Sequence, residues 1–284
     1  MANIGERAEL KVLTKSPHGL FLDAGGELGE VLLPRKEVSE SVDVGDLLDV
    51  FIYCDSEDRP VATLKHPKAM PGEFACLECV AATNIGAFLD WGLDKDLFSP
   101  FREQTSRLDV GKRYVVYVYV DENSDRIVAS RRLNRHFSKE APDYTPGQQV
   151  DLMVYAKTEL GYKAIINGTH TGILFANEVF QDFAPGETTT GYIAKVRQDG
   201  KIDLTLQAPG RRHVEDLESR IEMELIARGG FWELCDSSPA DDIYEALGVS
   251  KKAFKKATGA LYRKRKITIG KDGIRHVEQA SFDS

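Results

Sequence analysis

Four cysteines in 284 residues, Cys54, Cys76, Cys79 and Cys235, are too few for a disulfide framework. Long apolar runs are also missing. The longest, Tyr114 to Val120, falls far short of the ~20 residues that cross a bilayer. The first ten residues carry Glu6, Arg7 and Glu9 and no apolar core, so no secretory leader is read there. A reducing cytoplasm is the expected compartment. Positive charge is scarce: 37 Lys and Arg stand against 45 Asp and Glu, for a net −8. That total argues against a polyanionic partner, but binding follows local potential rather than the sum. Nucleotide loops are absent, since Gly25-Gly26-Glu27-Leu28-Gly29 has neither dinucleotide nor P-loop spacing. The six histidines lack ligand spacing. Cys76-Leu77-Glu78-Cys79 is a lone pair in an expected strand, where positions three apart face opposite sides. Asp23 and Asp90 supply one acid per module, too few for catalytic magnesium. An enzyme, a metal centre and a bound cofactor are all disfavoured.

What the chain does contain is one pattern three times. Gly19-Leu20-Phe21-Leu22-Asp23 leads to Leu32-Leu33-Pro34, and Gly86-Ala87-Phe88-Leu89-Asp90 leads to Leu97-Phe98-Ser99-Pro100. A worn copy, Gly161-Tyr162-Lys163-Ala164-Ile165, leads to Gly172-Ile173-Leu174-Phe175. The copies start 67 and 75 residues apart, and the glycines that follow them, Gly45, Gly111 and Gly186, are 66 and 75 apart. Such a step is too long for a solenoid unit and fits a small independent barrel. Leu48, Val50, Ile52 and Cys54 alternate with Asp49, Phe51 and Tyr53; Tyr114, Val116, Val118 and Val120 alternate with Val115, Tyr117 and Tyr119. That period of two predicts strands. Each module therefore reads as a five-stranded antiparallel barrel, and the chain as mainly β. Boundaries fall at 1–68, 69–140, 141–210 and 211–284. Residues 65–72 and a short basic helix over 131–139 are the expected linkers, and 207–210 closes the third module.

After Gly210 the period becomes helical. Leu217, Ile221, Leu225 and Ile226 share a face over 213–228, and 231–235 reads as a short strand. Ser238-Pro239 reads as a serine cap with proline in the first turn, and Gly248 as a stop. Ser250 caps a helix over 251–265, and a hairpin follows around Gly270-Lys271-Asp272-Gly273. This order is that of a C-terminal α+β domain, a winged helix-turn-helix.

A single strand of nucleic acid offers flat bases and a charged backbone, which exposed aromatics and cations can meet. On a small barrel the usual face is the second and third strands. Phe21 and Phe88 sit there in the repeat, with Trp91 close by; His18 and Tyr162 lie nearby in their own copies. Lys95, Arg102 and Lys163 are adjacent cations. Core packing suits these aromatics equally well. Arg131, Arg132 and Arg135, with His136 and Lys139, form a basic cluster between modules two and three. It could clamp phosphates, though a solvated helix face is slightly favoured. Between 251 and 276 ten basic residues face one acid, Asp272. At 100° per residue Phe254, Ala257, Thr258 and Leu261 share one helix face. Lys252, Lys255, Lys256 and Arg263 lie opposite, with Lys251, Lys264 and Arg265 beside them. A helix with one apolar and one cationic stripe suits a polyanion.

The three modules resemble the S1 domain, an RNA-binding OB barrel, and Gly86-Ala87-Phe88-Leu89-Asp90 is similar to its second strand. The run Ile243-Tyr244-Glu245-Ala246-Leu247-Gly248-Val249-Ser250-Lys251-Lys252-Ala253-Phe254, with 65–75 and Gly259-Ala260-Leu261-Tyr262, makes the chain look like the conserved virulence factor B family. That resemblance implies three tandem S1-like OB-fold barrels plus a winged helix-turn-helix. It implies a bacterial cytoplasmic protein that binds RNA and acts on gene expression after transcription, with no catalytic site. It also implies stacking faces with two aromatics on the second strand and an aromatic or histidine beyond. Here Phe88 fills one place, while Ile85 and Ser99 hold the others. His18 and Phe21 stand with Pro34, and Tyr162 stands alone, with Lys163 at the Phe88 position. Single-stranded RNA is the first expected partner. A protein bound through the winged helix, and duplex DNA read by the 251–265 helix, stay open as alternatives. No cofactor is expected.

Overall fold

A computed structural model of the chain describes residues 2–39, 41–176, 178–179, 181–207 and 211–277, with side chains from Leu217 onward in the last stretch. The first barrel consists of β1 (Arg7–Ser16), β2 (Gly19–Gly25), β3 (Gly29–Pro34), β4 (Leu47–Cys54) and β5 (Pro60–Thr63). The second has β6 (Phe74–Ala82), β7 (Gly86–Asp90), β8 (Leu97–Pro100), β9 (Arg113–Asp121) and β10 (Arg126–Ser130). The third has β11 (Gln149–Thr158), β12 (Gly161–Ile166), β13 (His170–Phe175), β14 (Thr188–Val196) and β15 (Ile202–Thr205). All three close in one order, first-second-third-fifth-fourth strand. Neighbours pair antiparallel except the third with the fifth, which run parallel (β3 with β5, β8 with β10, β13 with β15). The all-antiparallel expectation is corrected at that one seam, because alternation reports which face a residue takes and not which strand lies beside it.

The repeat is a set of steric and hydrogen-bonding constraints. A Cβ on Gly19 would lie 1.9 Å from the Leu33 carbonyl oxygen, on Gly161 2.0 Å from that of Leu174, and on Gly86 2.4 Å from that of Ser99. The second and third strands can meet this closely only where the side chain is missing. Three residues before each glycine a hydroxyl clasps the hairpin: Ser16, Thr83 and Thr158 donate to the carbonyls of Gly19, Gly86 and Gly161 at 3.0, 3.0 and 2.9 Å. Each first strand also shifts register at the matching place, between Val12 and Thr14, Cys79 and Ala81, and Val154 and Ala156, which bends it round the barrel. In the first two barrels a glutamate ties the far end to the closing strand. Glu37 accepts from the Thr63 hydroxyl at 2.7 Å, and Glu103 accepts from the Ser130 hydroxyl at 2.7 Å.

The chain divides into two compact units, Met1–Lys139 with Ala184–Glu187, and Glu140–Phe183 with Thr188–Ser284. Within the first unit, both faces of β4 are buried. Val50 and Ile52 point into their own barrel, while Phe51 and Tyr53 share an apolar cluster with Trp91 and Leu97 of the second barrel. Phe51 and Trp91 meet edge-on with ring centroids 5.9 Å apart. Lys65 reaches Asp94 across this junction at 2.5 Å, and Lys36–Asp94 and Arg126–Asp58 add further pairs.

The basic helix expected over 131–139 is absent. The segment holds one 3-10 turn, Leu133–Arg135, and lies along the second barrel. Leu133 is buried, His136 stacks on Tyr117 with centroids 4.3 Å apart, and Phe137 stacks on Phe74 at 5.2 Å. Nine residues are too few to hold a helix by themselves, so side-chain docking decides the backbone.

In the second unit, α1 (Arg211–Ala227), β16 (Phe231–Trp232), α2 (Ala240–Leu247), α3 (Lys251–Arg263), β17 (Ile267–Ile269) and β18 (Ile274–His276) follow the third barrel, with sheet order β16-β18-β17. Leu217, Ile221 and Leu225 of α1 bury against Ile243, Phe254 and Leu261. Each such side chain contributes about 1.5–3 kcal/mol when fully buried. Ile226, expected on the same face, is 60% exposed, because it lies 100° further round than Leu225. Ser238 does not cap α2. Its hydroxyl accepts from the Cys235 amide at 3.0 Å, and Pro239 takes the cap position without a side-chain bond. Gly248 ends α2 in the left-handed region at φ 67°, and Ser250 caps α3 by accepting from the Ala253 amide at 3.3 Å. Ala208, Pro209 and Gly210, expected to close the third module, lie outside the described residues. Among the described residues no helix is long and apolar enough to cross a membrane.

Candidate nucleic-acid interface

The winged helix carries the cationic surface, and α3 shows why. Phe254, Ala257, Thr258 and Leu261 face inward, and the Thr258 hydroxyl donates to the Phe254 carbonyl at 3.0 Å. Lys252, Lys255, Lys256 and Arg263 face outward and exposed, and among the described residues none of them has a carboxylate partner. Arg265 continues the surface from α3 toward the wing, exposed and equally unpaired, with its backbone in the left-handed region at φ 58°. Beside it Tyr262 is 56% exposed. Like charges at i,i+3 and i,i+4 repel, so this face is held at some cost in the absence of a counter-charge. A phosphate backbone is one group that can supply that counter-charge. Two neighbours are not part of it. Lys251 donates to the Ser238 carbonyl at 2.6 Å, and Lys264 pairs with Glu218 of α1 at 2.6 Å. Both hold the helices together, which corrects their expected role as phosphate contacts.

Cations of the first two barrels are largely spoken for. Lys95 donates to the Asp55 carbonyl and lies 3.8 Å from Asp58. Arg102 binds Asp121 at 2.6 Å. Burial would raise the Asp121 carboxyl, but hydrogen bonds from Ser124 and Asn123 and the Arg102 charge hold it below the usual range. Arg131 lies over the Tyr114 ring at 4.7 Å and donates to Ser106 at 3.0 Å; Arg132 donates to the Arg102 carbonyl at 2.6 Å. Arg135 sits 3.9 Å from Glu103. The 131–135 cluster is therefore pinned to its own barrel. Lys163, on the third barrel, is exposed and unpaired among the described residues.

The aromatics divide by strand parity. Trp91 is only 3% exposed and donates through Nε1 to the Lys95 carbonyl at 2.6 Å. Tyr162 is 4% exposed and donates its hydroxyl to Asp182 at 2.7 Å. Both are core side chains, contrary to the stacking role expected of them. Tyr162 occupies the repeat position of Leu20 and Ala87, which point inward. Phe21 and Phe88 take the next, outward position and are half-buried; His18 is exposed in the β1–β2 turn. Phe98, not singled out in the sequence, is the cross-strand partner of Phe88, with centroids 5.2 Å apart. Leu97 and Ser99 on either side of it are buried, so parity alone could have found it. Phe88, Phe98 and Trp91 line a cleft of about 420 Å³ whose opposite wall is Tyr53 and the β4–β5 turn of the first barrel.

Residues 4–65 match the family model of the S1 domain, and residues 219–275 match that of the CvfB-like winged helix domain. The chain is 27% identical over 281 residues to the protein YitL of Bacillus subtilis (strain 168), covering 93% of this chain and 90% of that protein. It is 22% identical over 270 residues to Conserved virulence factor B of Staphylococcus epidermidis (strain ATCC 12228 / FDA PCI 1200), covering 89% and 91%. A crystal structure of a multidomain protein with nucleic acid binding domains from Streptococcus pneumoniae TIGR4 is 22% identical and covers 97% of this chain and 99% of that one, with a TM-score of 0.43.

Proposed function

We propose that this chain, which carries an S1 domain, two further barrels of the same topology and a CvfB-like winged helix, binds single-stranded RNA and regulates gene expression after transcription, without catalysis, in the cytoplasm. The observation that carries the reading is the outward face of α3, where Lys252, Lys255, Lys256 and Arg263 cluster with no carboxylate partner among the described residues. The half-buried aromatic pair of the second barrel and the exposed His18 and Phe21 of the first supply places for bases. Several weak contacts joined on one chain raise affinity through effective concentration, so no single barrel needs a complete stacking face.

A recognition helix can also lie in the major groove of duplex DNA, and the exposure of α3 favours this as the second reading. Fluorescence anisotropy with single-stranded RNA, single-stranded DNA and duplex DNA of one length, from about 50 mM salt upward, separates them. The expected result is tightest binding to RNA, with log K falling against log[salt] by about 0.7 for each phosphate neutralised. Preference for the duplex would replace this reading with the DNA one. No binding to any of the three at low salt would leave a protein partner for the winged helix.

A further inference from the structure

The cleft between the first and second barrels has the wrong charge for a backbone track. Asp58, Asp94 and Asp96 line it against Lys95 and Arg126. Four of these five are engaged: Lys95 and Arg126 face Asp58, while Lys36 and Lys65 hold Asp94. Asp96 has no ion pair or hydrogen bond among the described residues. Burial, with a smaller push from Asp90, holds its carboxyl above the usual carboxylate range. A phosphate brought here would lose its water and meet an uncompensated negative charge. A neutral base would not, provided that its edge offered N–H donors to the carboxylate.

The walls suit a base. Phe88 and Phe98 present half-buried rings on one side, and Tyr53 stands on the other. Burial first, and the Asp94 charge second, push the Tyr53 phenol up to about 12, so it stays neutral. A volume of about 420 Å³ falls within the range of small-ligand pockets. The β4–β5 turn of the first barrel supplies one wall. A carboxylate accepts on two oxygens at once and donates nothing. Among the four RNA bases, only guanine presents two adjacent donors on its Watson–Crick edge, the ring N1–H and the exocyclic N2 amino group.

We propose that this cleft takes up a single guanine base of single-stranded RNA, stacked against Phe88 and Phe98 and read by the carboxylate of Asp96. The source of the base rests on the RNA reading above; the chemistry of the cleft does not.

The test uses the full chain and two labelled oligouridylates, one with a single central guanosine and one with inosine, which lacks the 2-amino group. Anisotropy should show the guanosine strand binding at least about tenfold more tightly, as expected of a hydrogen bond to a charged group. Asp96→Asn should erase that difference while leaving affinity for plain oligouridylate unchanged. Phe88→Leu, with folding checked by far-UV circular dichroism, should weaken the guanosine strand. Equal binding of the two strands, or a preference that survives Asp96→Asn, overturns the proposal. Free guanosine that bound as tightly as the oligonucleotide would make the ligand a nucleoside and overturn the strand as its source. Should the chain bind no RNA at all, titration of Trp91 emission with guanosine and inosine, in a Trp232→Phe variant so that the other tryptophan is silent, still decides the cleft. A response to guanosine alone supports it, and none sinks it.

Discussion

Two regions of this molecule treat positive charge in opposite ways. In the first two barrels Lys95, Arg102 and Arg135 lie against acidic groups, and Arg131 and Arg132 are occupied by a ring and a carbonyl. On α3, Lys252, Lys255, Lys256 and Arg263 stand together with no carboxylate partner among the described residues. The net charge of −8 conceals this contrast. What marks a polyanion surface is the absence of neighbouring carboxylates, not the number of cations. An arginine already bonded to an aspartate must break that bond before it can take a phosphate, and much of the gain is lost in the exchange.

The sharpest way to break the comparison is to reverse charge on α3. Replacing Lys252, Lys255, Lys256 and Arg263 together with Glu should lower RNA affinity by roughly 10³-fold at about 50 mM salt and make the salt slope shallower by about 3. All four side chains face solvent, so circular dichroism should be unchanged. The same reversal of Lys95, Arg102 and Arg135 should change affinity by less than about threefold, because those cations are already matched by acidic groups and offer little free charge to a phosphate. Its effect should show instead as a lower melting temperature. Equal losses of affinity from the two sets would remove the distinction between them.

A second measurement tests the core assignment of Tyr162 against the outward Phe88. Tyr162→Ala removes a ring that is 4% exposed, and a core truncation of this size should cost about 3 kcal/mol in urea unfolding. RNA affinity of the folded variant should be unchanged. An affinity loss with stability intact would return Tyr162 to the list of contacts.

How much of this could be read in the sequence depends on distance along the chain. The barrels were legible because their constraints are local and recur. The glycine that must lack a Cβ, the hydroxyl three residues before it and the alternating strand all sit within about forty residues of one another. The parity that buries Tyr162 and exposes Lys163 was legible too, had Gly161-Tyr162-Lys163 been laid over Gly19-Leu20-Phe21 position by position. The apolar and cationic stripes of α3 were legible because a helix fixes its own faces. Charge pairing was not. Arg126 meets Asp58 and Lys264 meets Glu218 across 68 and 46 residues, and nothing local announces such a meeting. Trp91 was misjudged for the same reason: Phe51, which buries it, belongs to another barrel.

Acid titration sharpens the contrast with the smallest effect on stability. Hydrogen bonds from Lys36 and then Lys65 hold the Asp94 carboxyl below its usual range, and Lys68 does the same for Asp90. A carboxylate whose pKa is lower in the folded state stabilises it fully above the unfolded value, near 3.9, and stops doing so as pH falls through the lowered one. The junction of the first two barrels should therefore weaken only in strong acid, and modestly, since solvent screens these groups. Asp96 moves the other way. Its carboxyl is raised by burial and by Asp90, so it takes up a proton while the neighbouring pairs are still intact. Protonation removes one acceptor oxygen, so the guanosine-over-inosine preference should fade at a pH where the urea midpoint has not yet fallen; uptake by a carboxyl raised in the folded state can only favour folding. Lysine and arginine keep their charge throughout this range, so binding through α3 should persist beyond both events. If the base preference and the urea midpoint fall together as pH is lowered, Asp96 is not the group that reads the base.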